Sequence, residues 1–175
     1  MHPLFPFRQN MLKLSVMGSV ERRGTRSLVI TYEITDPRGV LRGGPHGLYE
    51  VSGDALVRAH ELWKGTCFEF FWSEPGLTSY YECNVESGGK WNVYFFDTYR
   101  HPMPPQETDQ YDVTRIRSSE GQLQVFLEAK TPIPATLECS FTAVLMTQEG
   151  AQFYAGKHGG RDPDFHIRTT LCIEV

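Results

Sequence analysis

Three apolar runs follow one another in the middle of the chain: TCFEFFW at residues 66–72, TSYYECNVES at 78–87 and KWNVYFFDTYR at 90–100. Turn residues separate them, with Ser-Glu-Pro-Gly at 73–76 before the second run and Gly-Gly at 88–89 before the third. Short runs rich in aromatic and β-branched residues, bounded by glycine and proline, are typical of β-strands joined by tight turns. This stretch therefore predicts a three-stranded antiparallel meander.

Runs of the same kind extend in both directions from the meander. They occupy residues 11–18, 27–34, 111–119, 122–130, 136–147 and 151–157, and the closing run DFHIRTTLCIEV at 164–175 alternates apolar and polar residues. The single helix candidate is GDALVRAHELW at 53–63, whereas the proline-bearing stretch HPMPPQETDQ at 101–110 has no strand pattern and is predicted to be a long, functional loop. The sequence predicts an all-β fold, an antiparallel β-sandwich of about ten strands with at most one short helix.

Composition limits the classes of protein that the chain can belong to. Its 175 residues fit one domain spanning 1–175, and 17 basic against 21 acidic residues give a net charge of -4. This charge disfavours binding to nucleic acids or anionic membranes, and no run is long and apolar enough to span a bilayer. We expect a soluble protein, cytoplasmic by default because its start does not resemble a signal peptide, with four reduced and mostly buried cysteines.

Polar residues interrupt the aromatic meander at regular positions. Because side chains alternate between the two faces of a strand, Glu69 shares a face with Cys67 and Phe71, and Asn84 shares one with Glu82. A face that mixes aromatic rings with carboxyl and amide groups suits sugars, whose C–H patches stack on rings and whose hydroxyls need hydrogen-bond partners. The alternative is an ordinary solvent-facing surface, and Glu69 and Glu82 could also form a carboxylate pair for glycoside chemistry.

The candidate metal ligands and nucleophiles match no known metal-binding or catalytic motif. The run KHGGRDPDFH brings His158 and His166 within eight residues of each other, but without the spacing of a zinc site, and no loop has the ligand spacing of a calcium loop. No serine lies on a nucleophile elbow, and Cys67 is read as a small core residue. The sequence therefore predicts no catalytic residue, no metal site and no cofactor, with calcium and haem left open.

The segments LWKGTCFEFFW, YYECNVESGGKWNVYFFDTYRHPM and FYAGKHGGRDPDFH together resemble the DOMON-like ligand-binding domains related to the type 9 carbohydrate-binding modules. The resemblance covers nearly the whole chain and is strongest over residues 62–103. It implies a β-sandwich of the jelly-roll or immunoglobulin-like type, with a ligand site on the concave sheet.

The resemblance also implies roles for particular residues. Trp63, six residues before the strand glutamate Glu69, would form one wall of a sugar slot, and Glu69 would bind hydroxyl groups. Asn84 and Arg100 would be further polar partners. Tyr154 or His158 would close the slot, although the tryptophan that the carbohydrate-binding branch has in this region is missing. The haem-binding branch uses a Met and a His as axial ligands, and Met103 with His101 or His158 would be the corresponding residues.

From these observations the sequence predicts a non-catalytic domain that binds a small saccharide on its concave sheet through Trp63, Glu69, Asn84, Arg100, Tyr154, His158 and His166. Three alternatives stay open. The first is a sugar-active enzyme that uses Glu69 with His158 or His166 as an acid and base. The second is a haem-binding domain, and the third is a scaffold whose aromatic face another chain covers.

Overall fold

A computed structural model describes all residues from 1 to 175, and the chain folds into fifteen β-strands with three short 3-10 turns and no α-helix. The strands are β1 (His2–Pro6), β2 (Ser15–Arg23), β3 (Ser27–Thr35), β4 (Leu41–Arg42), β5 (Tyr49–Ser52), β6 (Val57–Arg58), β7 (Cys67–Ser73), β8 (Tyr80–Val85), β9 (Lys90–Phe96), β10 (Gln106–Glu107), β11 (Tyr111–Ser119), β12 (Gln122–Ala129), β13 (Glu138–Thr147), β14 (Gly150–Ala155) and β15 (Ile173–Glu174). The all-β prediction is confirmed. The expected number of about ten was too low, because several two-residue strands pair at the ends and edges of the longer ones.

The strands form one continuous curled sheet in the order β10-β9-β8-β7-β13-β14-β1-β2-β3-β12-β11-β5. Strand β1 joins its two halves, because Pro3 and Leu4 pair with β2 whereas Phe5 and Pro6 pair with β14. The pairing is antiparallel except between β6 and β9, which are parallel. The structure thus confirms an antiparallel sheet, but it corrects the expected ten-stranded sandwich of separate layers, since hydrogen bonds through β1 make the two halves one curled sheet.

The two halves of the sheet pack against each other around one main core. Tyr32 of β3 contacts the ring of Phe68 on β7, with centroids 5.1 Å apart, and its hydroxyl donates to the carbonyl of Glu69 at 2.6 Å. The predicted meander is present as β7, β8 and β9, with Phe70 paired to Cys83 and Cys83 to Val93. Thirty buried residues from both halves form this core. One face of the meander therefore packs on the main core, and its other face lies outside that core.

The predicted helix at 53–63 is not formed. The segment contains two 3-10 turns, Gly53–Ala55 and Leu62–Lys64, on either side of the two-residue strand β6. Backbone hydrogen bonds from Val57 to Gly89 and from Ala59 to Trp91 attach the segment to β9. Tertiary pairing with the edge of the meander has outweighed a weak helical pattern in a sequence that begins at a glycine.

The closing segment also differs from its prediction. Instead of a strand over 164–175, it has a 3-10 turn at Arg168–Thr170 and only the short strand β15. Arg168 fixes the segment by donating to the carbonyl of Leu77 at 3.0 Å and by an ion pair with Glu138. In the 101–110 loop, Gln106 and Glu107 form β10 against β9, a pairing that the polar sequence did not reveal.

The four cysteines are free, and three of them are buried, as predicted, whereas Cys172 is exposed. No helix in the structure has the length and apolar character needed to cross a bilayer.

Candidate functional site

The second face of the meander is covered by chain rather than by solvent. Alternation along β7 directs Phe68, Phe70 and Trp72 into the main core, and directs Cys67, Glu69 and Phe71 to the opposite face. The turn at Leu62–Lys64 and the closing segment fold over that opposite face and form a second cluster of ten buried residues. Every residue of β7 is consequently buried, and the predicted shared face of Cys67, Glu69 and Phe71 is confirmed.

A pocket of about 250 Å³ remains between this face and the segments that cover it. It is lined by residues of the meander, the two covering segments, the 101–110 loop and the β13–β14 hairpin, namely Trp63, Glu69, Glu82, Arg100, Met103, Pro105, Val144, Phe153, Pro163, Phe165 and His166. Four of the seven residues predicted for the site are among them: Trp63, Glu69, Arg100 and His166.

Two buried carboxyl groups form the floor of the pocket. Glu69 on β7 pairs with Asn84 on β8, so that Glu82, two residues before Asn84, is its diagonal neighbour on the same face. The side chains of Thr142 and Asn84 donate to one oxygen of each group, to Glu69 Oε2 at 3.0 Å and to Glu82 Oε1 at 2.8 Å. The second oxygens, Glu69 Oε1 and Glu82 Oε2, accept no hydrogen bond from the protein although the two residues are only 3% and 4% exposed. These free acceptors face the pocket and are available to a ligand.

Burial changes the acidity of both groups. It raises the pKa of Glu69 well above the usual range, and the neighbouring Glu82 raises it further. Burial also raises the pKa of Glu82, to about 7, despite the opposing effects of its bond to Asn84 and of the nearby charge of Arg100. With the pKa of Glu82 at about 7, the pair is partly protonated at neutral pH, so that it can both donate to and accept from a hydroxyl group.

Arg100 lies beside the carboxyl pair but is bound elsewhere. Its guanidinium group donates to Asp164 Oδ1 at 3.0 Å, and the hydroxyl of Tyr99 donates to the other carboxylate oxygen at 2.5 Å. These two bonds and the backbone N–H of His166 help to keep the pKa of Asp164 low, against the effect of burial. Arg100 has a positive φ of 51°, a conformation that is uncommon outside glycine and is often associated with functional sites.

His166 presents a defined ring nitrogen to the pocket. Burial lowers its pKa to about 4, with a smaller contribution from Arg100, so the ring is neutral at pH 7. Its Nδ1 lies 3.0 Å from the hydroxyl of Tyr80, which itself accepts the backbone N–H of Arg100 at 3.1 Å. We assign the Tyr80 proton to the bond with Nδ1, which places the imidazole proton on Nε2, 3.9 Å from Glu82 Oε2.

Aromatic side chains form the walls of the pocket. Trp63 lies two residues after Glu61, whose φ of 57° turns the chain back over the sheet. The ring of Trp63 contacts that of Tyr94 edge-on, with centroids 6.2 Å apart. Phe153 of β14 and Phe165 of the closing segment, whose ring centroids are 6.3 Å apart, provide further aromatic surface. The aromatic residues that the C-terminal part contributes to the pocket lining are thus phenylalanines, not the predicted Tyr154 or His158.

The other three predicted residues lie outside the pocket lining. Tyr154 points to the main core, because alternation along β14 gives the pocket face to Phe153, and its hydroxyl has no hydrogen-bond partner. His158 is bound to the carbonyl of Phe5 at 2.8 Å. Asn84 lies fully buried beneath Glu82 and orients it. These positions correct the prediction that Tyr154 or His158 closes the slot and change the predicted role of Asn84 from ligand contact to support.

Sequence reasoning missed most of the remaining lining. Glu82 was recognised as a partner for Glu69, and the face that it shares with Asn84 was the signal for it. Alternation puts Phe153 and Tyr154 on opposite faces of their strand but does not say which of them meets the pocket. Phe165 carried no signal because the alternation of residues 164–175 predicts a strand, and Pro163 lies in the glycine- and proline-rich turn before it.

A larger depression, of about 620 Å³, lies at the edge of the sheet around Arg58, Glu107 and Asp112, but it is more open and mostly polar. The guanidinium of Arg58 stacks 4.2 Å from the ring of Trp91 and donates to four oxygens of the protein, among them Asn92 Oδ1 and Asp112 Oδ1. The Arg58 guanidinium is thereby held by hydrogen bonds within the protein. The enclosed pocket at Glu69 and Glu82 is the better candidate site.

Neither a metal ion nor haem finds a fitting set of residues. No group of three or more His, Cys, Asp or Glu side chains is arranged to hold a metal ion. Met103 and His166 do line one pocket, but the nitrogens of His166 face Tyr80 and Glu82, and about 250 Å³ is below the roughly 300–1,000 Å³ of typical cofactor and drug pockets. His101 and His158, the histidines predicted with Met103, are bonded to Asp97 and to the carbonyl of Phe5, and haem binding stays a prediction.

Comparison with known proteins yields one structural likeness. No protein-family model matches the chain, and no curated protein matches its sequence. The fold is similar to the crystal structure of a "putative carbohydrate-binding protein" from Bacteroides uniformis ATCC 8492, with a TM-score of 0.63 and 13% sequence identity. The likeness covers 97% of this chain and 82% of that one. At this low identity it shows that the two chains share a fold.

Proposed function

We propose that this chain is a non-catalytic binding domain that takes a small saccharide into the pocket between Trp63 and the carboxyl pair. The observation that carries the proposal is the pair of free carboxyl oxygens, Glu69 Oε1 and Glu82 Oε2, at the floor of an aromatic-walled pocket. A sugar ring offers apolar C–H faces to aromatic side chains and hydroxyls to groups that both donate and accept. The likeness to a protein named for carbohydrate binding supports the proposal at the level of the fold.

The geometry gives each lining group a role. A pyranose ring would lie against the indole of Trp63, with hydroxyls directed to Glu69 and Glu82, while the Nε2–H of His166 and the edge of the Arg100 guanidinium supply donors. A volume of about 250 Å³ is that of one or two rings rather than a long polysaccharide. The ligand class is therefore a monosaccharide or the end of a short oligosaccharide.

The available nucleophile argues against catalysis by a thiolate. Cys67 is fully buried, and burial followed by the charges of Glu69 and Glu82 raises the pKa of its thiol well above the usual range. A thiol in such surroundings does not ionise at neutral pH and is unreactive.

Titration of the protein with a panel of mono- and disaccharides, followed by calorimetry and by tryptophan fluorescence, tests the proposal. We expect saturable binding that Trp63→Ala and Glu69→Gln remove. Phe126→Ala, which removes an aromatic side chain under Arg115 on the other half of the sheet, is the matched control and should bind as the wild type does. Equal binding by Trp63→Ala and the wild type would contradict the proposal.

A sugar-active enzyme is a second candidate, favoured by one observation. Two carboxyl groups lie side by side with raised pKa values, about 7 for Glu82, and a carboxyl group that titrates near neutral pH can act as an acid or a base. Release of nitrophenol from nitrophenyl glycosides would support this candidate if Glu82→Gln abolished it and the control Phe126→Ala did not. Turnover that survives Glu82→Gln, or no turnover of any glycoside tested, would exclude this pair as the catalyst of that reaction.

A further inference from the structure

The charges around the pocket do not balance. The charged and titratable groups that line it are Glu69, Glu82, Arg100 and His166. Cys67, Tyr80, Tyr94, Tyr99 and Asp164 lie next to these four. Arg100 is the only cation among them, and Asp164 neutralises it through an ion pair at 3.0 Å. Arg100 also lowers the pKa of Glu69 and Glu82, but His166 is uncharged, so one cation serves the three carboxyl groups of Glu69, Glu82 and Asp164.

Two buried carboxyl groups without a cation are costly for a folded protein. Buried carboxylates are normally paired with a basic side chain or a metal ion, because removing a charge from water costs several kcal/mol. In this pocket each carboxyl group instead has one neutral donor, Thr142 for Glu69 and Asn84 for Glu82. The remaining oxygens point to the space that a ligand would occupy. The missing counter-charge is thus located in the ligand position.

An ammonium group supplies what this position lacks. It carries one positive charge and three donors on a compact centre, enough to bond both Glu69 Oε1 and Glu82 Oε2 at once. The indole of Trp63 in the wall of the same pocket adds a surface that attracts cations. A neutral hydroxyl group in the same place cannot replace the proton that the carboxyl pair holds in the empty pocket.

We propose that the pocket selects saccharides that carry a protonated amine, held between Glu69 and Glu82 with the sugar ring against Trp63. This inference rests on the proposed function and names the ligand class of the same site. An N-acetylated sugar differs in the deciding feature, because its amide is uncharged and larger. The free amine, rather than the ring alone, would determine affinity.

Proton release is a consequence that a simple sugar site would not show. In the empty pocket the raised pKa values, about 7 for Glu82, keep the pair partly protonated at neutral pH, and a bound ammonium group favours the ionised form of both carboxyl groups. Binding of a protonated amino sugar at pH 7 should therefore release protons to the buffer. The other facing groups contribute little, since Tyr80 and Tyr94 stay protonated and His166 stays neutral across this range.

Calorimetric titration at pH 7 with glucosamine, glucose and N-acetylglucosamine, each in two buffers of different ionisation enthalpy, tests the inference. We expect glucosamine to bind about tenfold tighter than glucose or more, because bonds from a charged donor to carboxylates are among the stronger hydrogen bonds. Only glucosamine should show a binding enthalpy that depends on the buffer. Glu82→Gln should remove both the preference and the proton release. Glu50→Gln, which removes a carboxylate paired with Arg117 outside the pocket, should change neither.

The outcomes separate this inference from the proposed function. Glucose bound as tightly as glucosamine, or glucosamine bound without proton release, would overturn the amine preference and leave saccharide binding intact. Binding of none of the three sugars by a folded protein would overturn the amine inference and count against the proposed function as well. Thermal unfolding of each variant checks that Glu82→Gln and Glu50→Gln are folded.

Discussion

The two faces of the meander are equally buried and differ in what they bury. The core face of β7 and β8 carries Phe68, Phe70, Trp72 and Cys83, which contact apolar side chains of the other half of the sheet. The pocket face of the same strands carries Glu69, Glu82 and Asn84, which are also almost fully buried. Folding alone favours apolar residues at such positions. The difference teaches that the pocket face carries polar groups at a cost in stability, which the proposed ligand site would explain, whereas the core face is built for packing.

The largest effect is expected from breaking the core face. Phe70 stacks on Trp72 and lies against Phe141, each with ring centroids 5.3 Å apart. Phe70→Ala should lower the free energy of unfolding by about 3 to 5 kcal/mol, because it removes a large buried ring and leaves a cavity. Urea unfolding followed by circular dichroism measures this change. A loss below about 1 kcal/mol would show that the two halves of the sheet do not pack as described.

On the pocket face we expect the opposite result: as pH rises, a substitution should raise the free energy of unfolding relative to the wild type. The folded-state pKa of Glu82 is raised from 4.5 to about 7, so the folded protein holds this proton more tightly than the unfolded chain does. The stability that it contributes is fully present below pH 4.5 and is lost as pH rises through 7. Compared with Glu82→Gln, the wild type should therefore lose unfolding free energy over this range.

The difference between the two proteins isolates this effect from that of His166. The pKa of His166 is lowered from 6.5 to about 4, which makes stability rise with pH instead of fall. This contribution is common to the wild type and to Glu82→Gln. Urea unfolding of the wild type and of Glu82→Gln at several pH values gives the comparison. A constant difference between pH 4.5 and 7 would contradict the account of a buried carboxyl group without a cation.

Phe153 and Tyr154, neighbours on β14, allow the pocket face and the core face to be compared on another strand. Phe153→Ala should weaken saccharide binding by about three- to tenfold, since an aromatic contact contributes about 0.5 to 1.5 kcal/mol. It should lower the free energy of unfolding less than Phe70→Ala does, because Phe153 is only partly buried. Calorimetry and urea unfolding on one preparation measure both quantities. Unchanged saccharide affinity would remove Phe153 from the site.

Tyr154→Phe is expected to have the smallest effect. The Tyr154 hydroxyl is buried in the main core without a hydrogen-bond partner. Its removal should leave saccharide affinity unchanged and should keep or slightly raise the free energy of unfolding, by at most about 1 kcal/mol. Weaker sugar binding by this variant would restore Tyr154 to the slot and contradict the assignment of the two faces.

Alternation of side chains was sufficient to predict the meander and the shared face of Cys67, Glu69 and Phe71, because a strand has a fixed period of two. The same rule could not choose between Phe153 and Tyr154. That choice depends on which face of β14 meets the other half of the sheet, and this is set by long-range pairing with β1 and β13.

The segments that cover the pocket were beyond the reach of sequence patterns. The turn that carries Trp63 depends on the positive φ of Glu61 and on parallel pairing of β6 with β9. The closing segment has the alternation of a strand, yet contacts through Arg168 keep most of it out of the sheet. Both features are decided by tertiary contacts, so Trp63 and His166 were identified by resemblance and by residue type rather than by their local structure.

The three tryptophans allow a direct test of the central claim that sugar binds on the pocket face of the meander. Trp63 lines the pocket, Trp72 lies in the main core and Trp91 lies beneath Arg58. A nitrogen–proton correlation spectrum resolves three indole N–H signals, which single substitutions assign. During titration with glucosamine we predict a saturable shift of the Trp63 signal that is much larger than the shifts of the other two. A saturable shift centred on Trp91 or Trp72, or no shift of the Trp63 signal when calorimetry shows binding, would contradict the account.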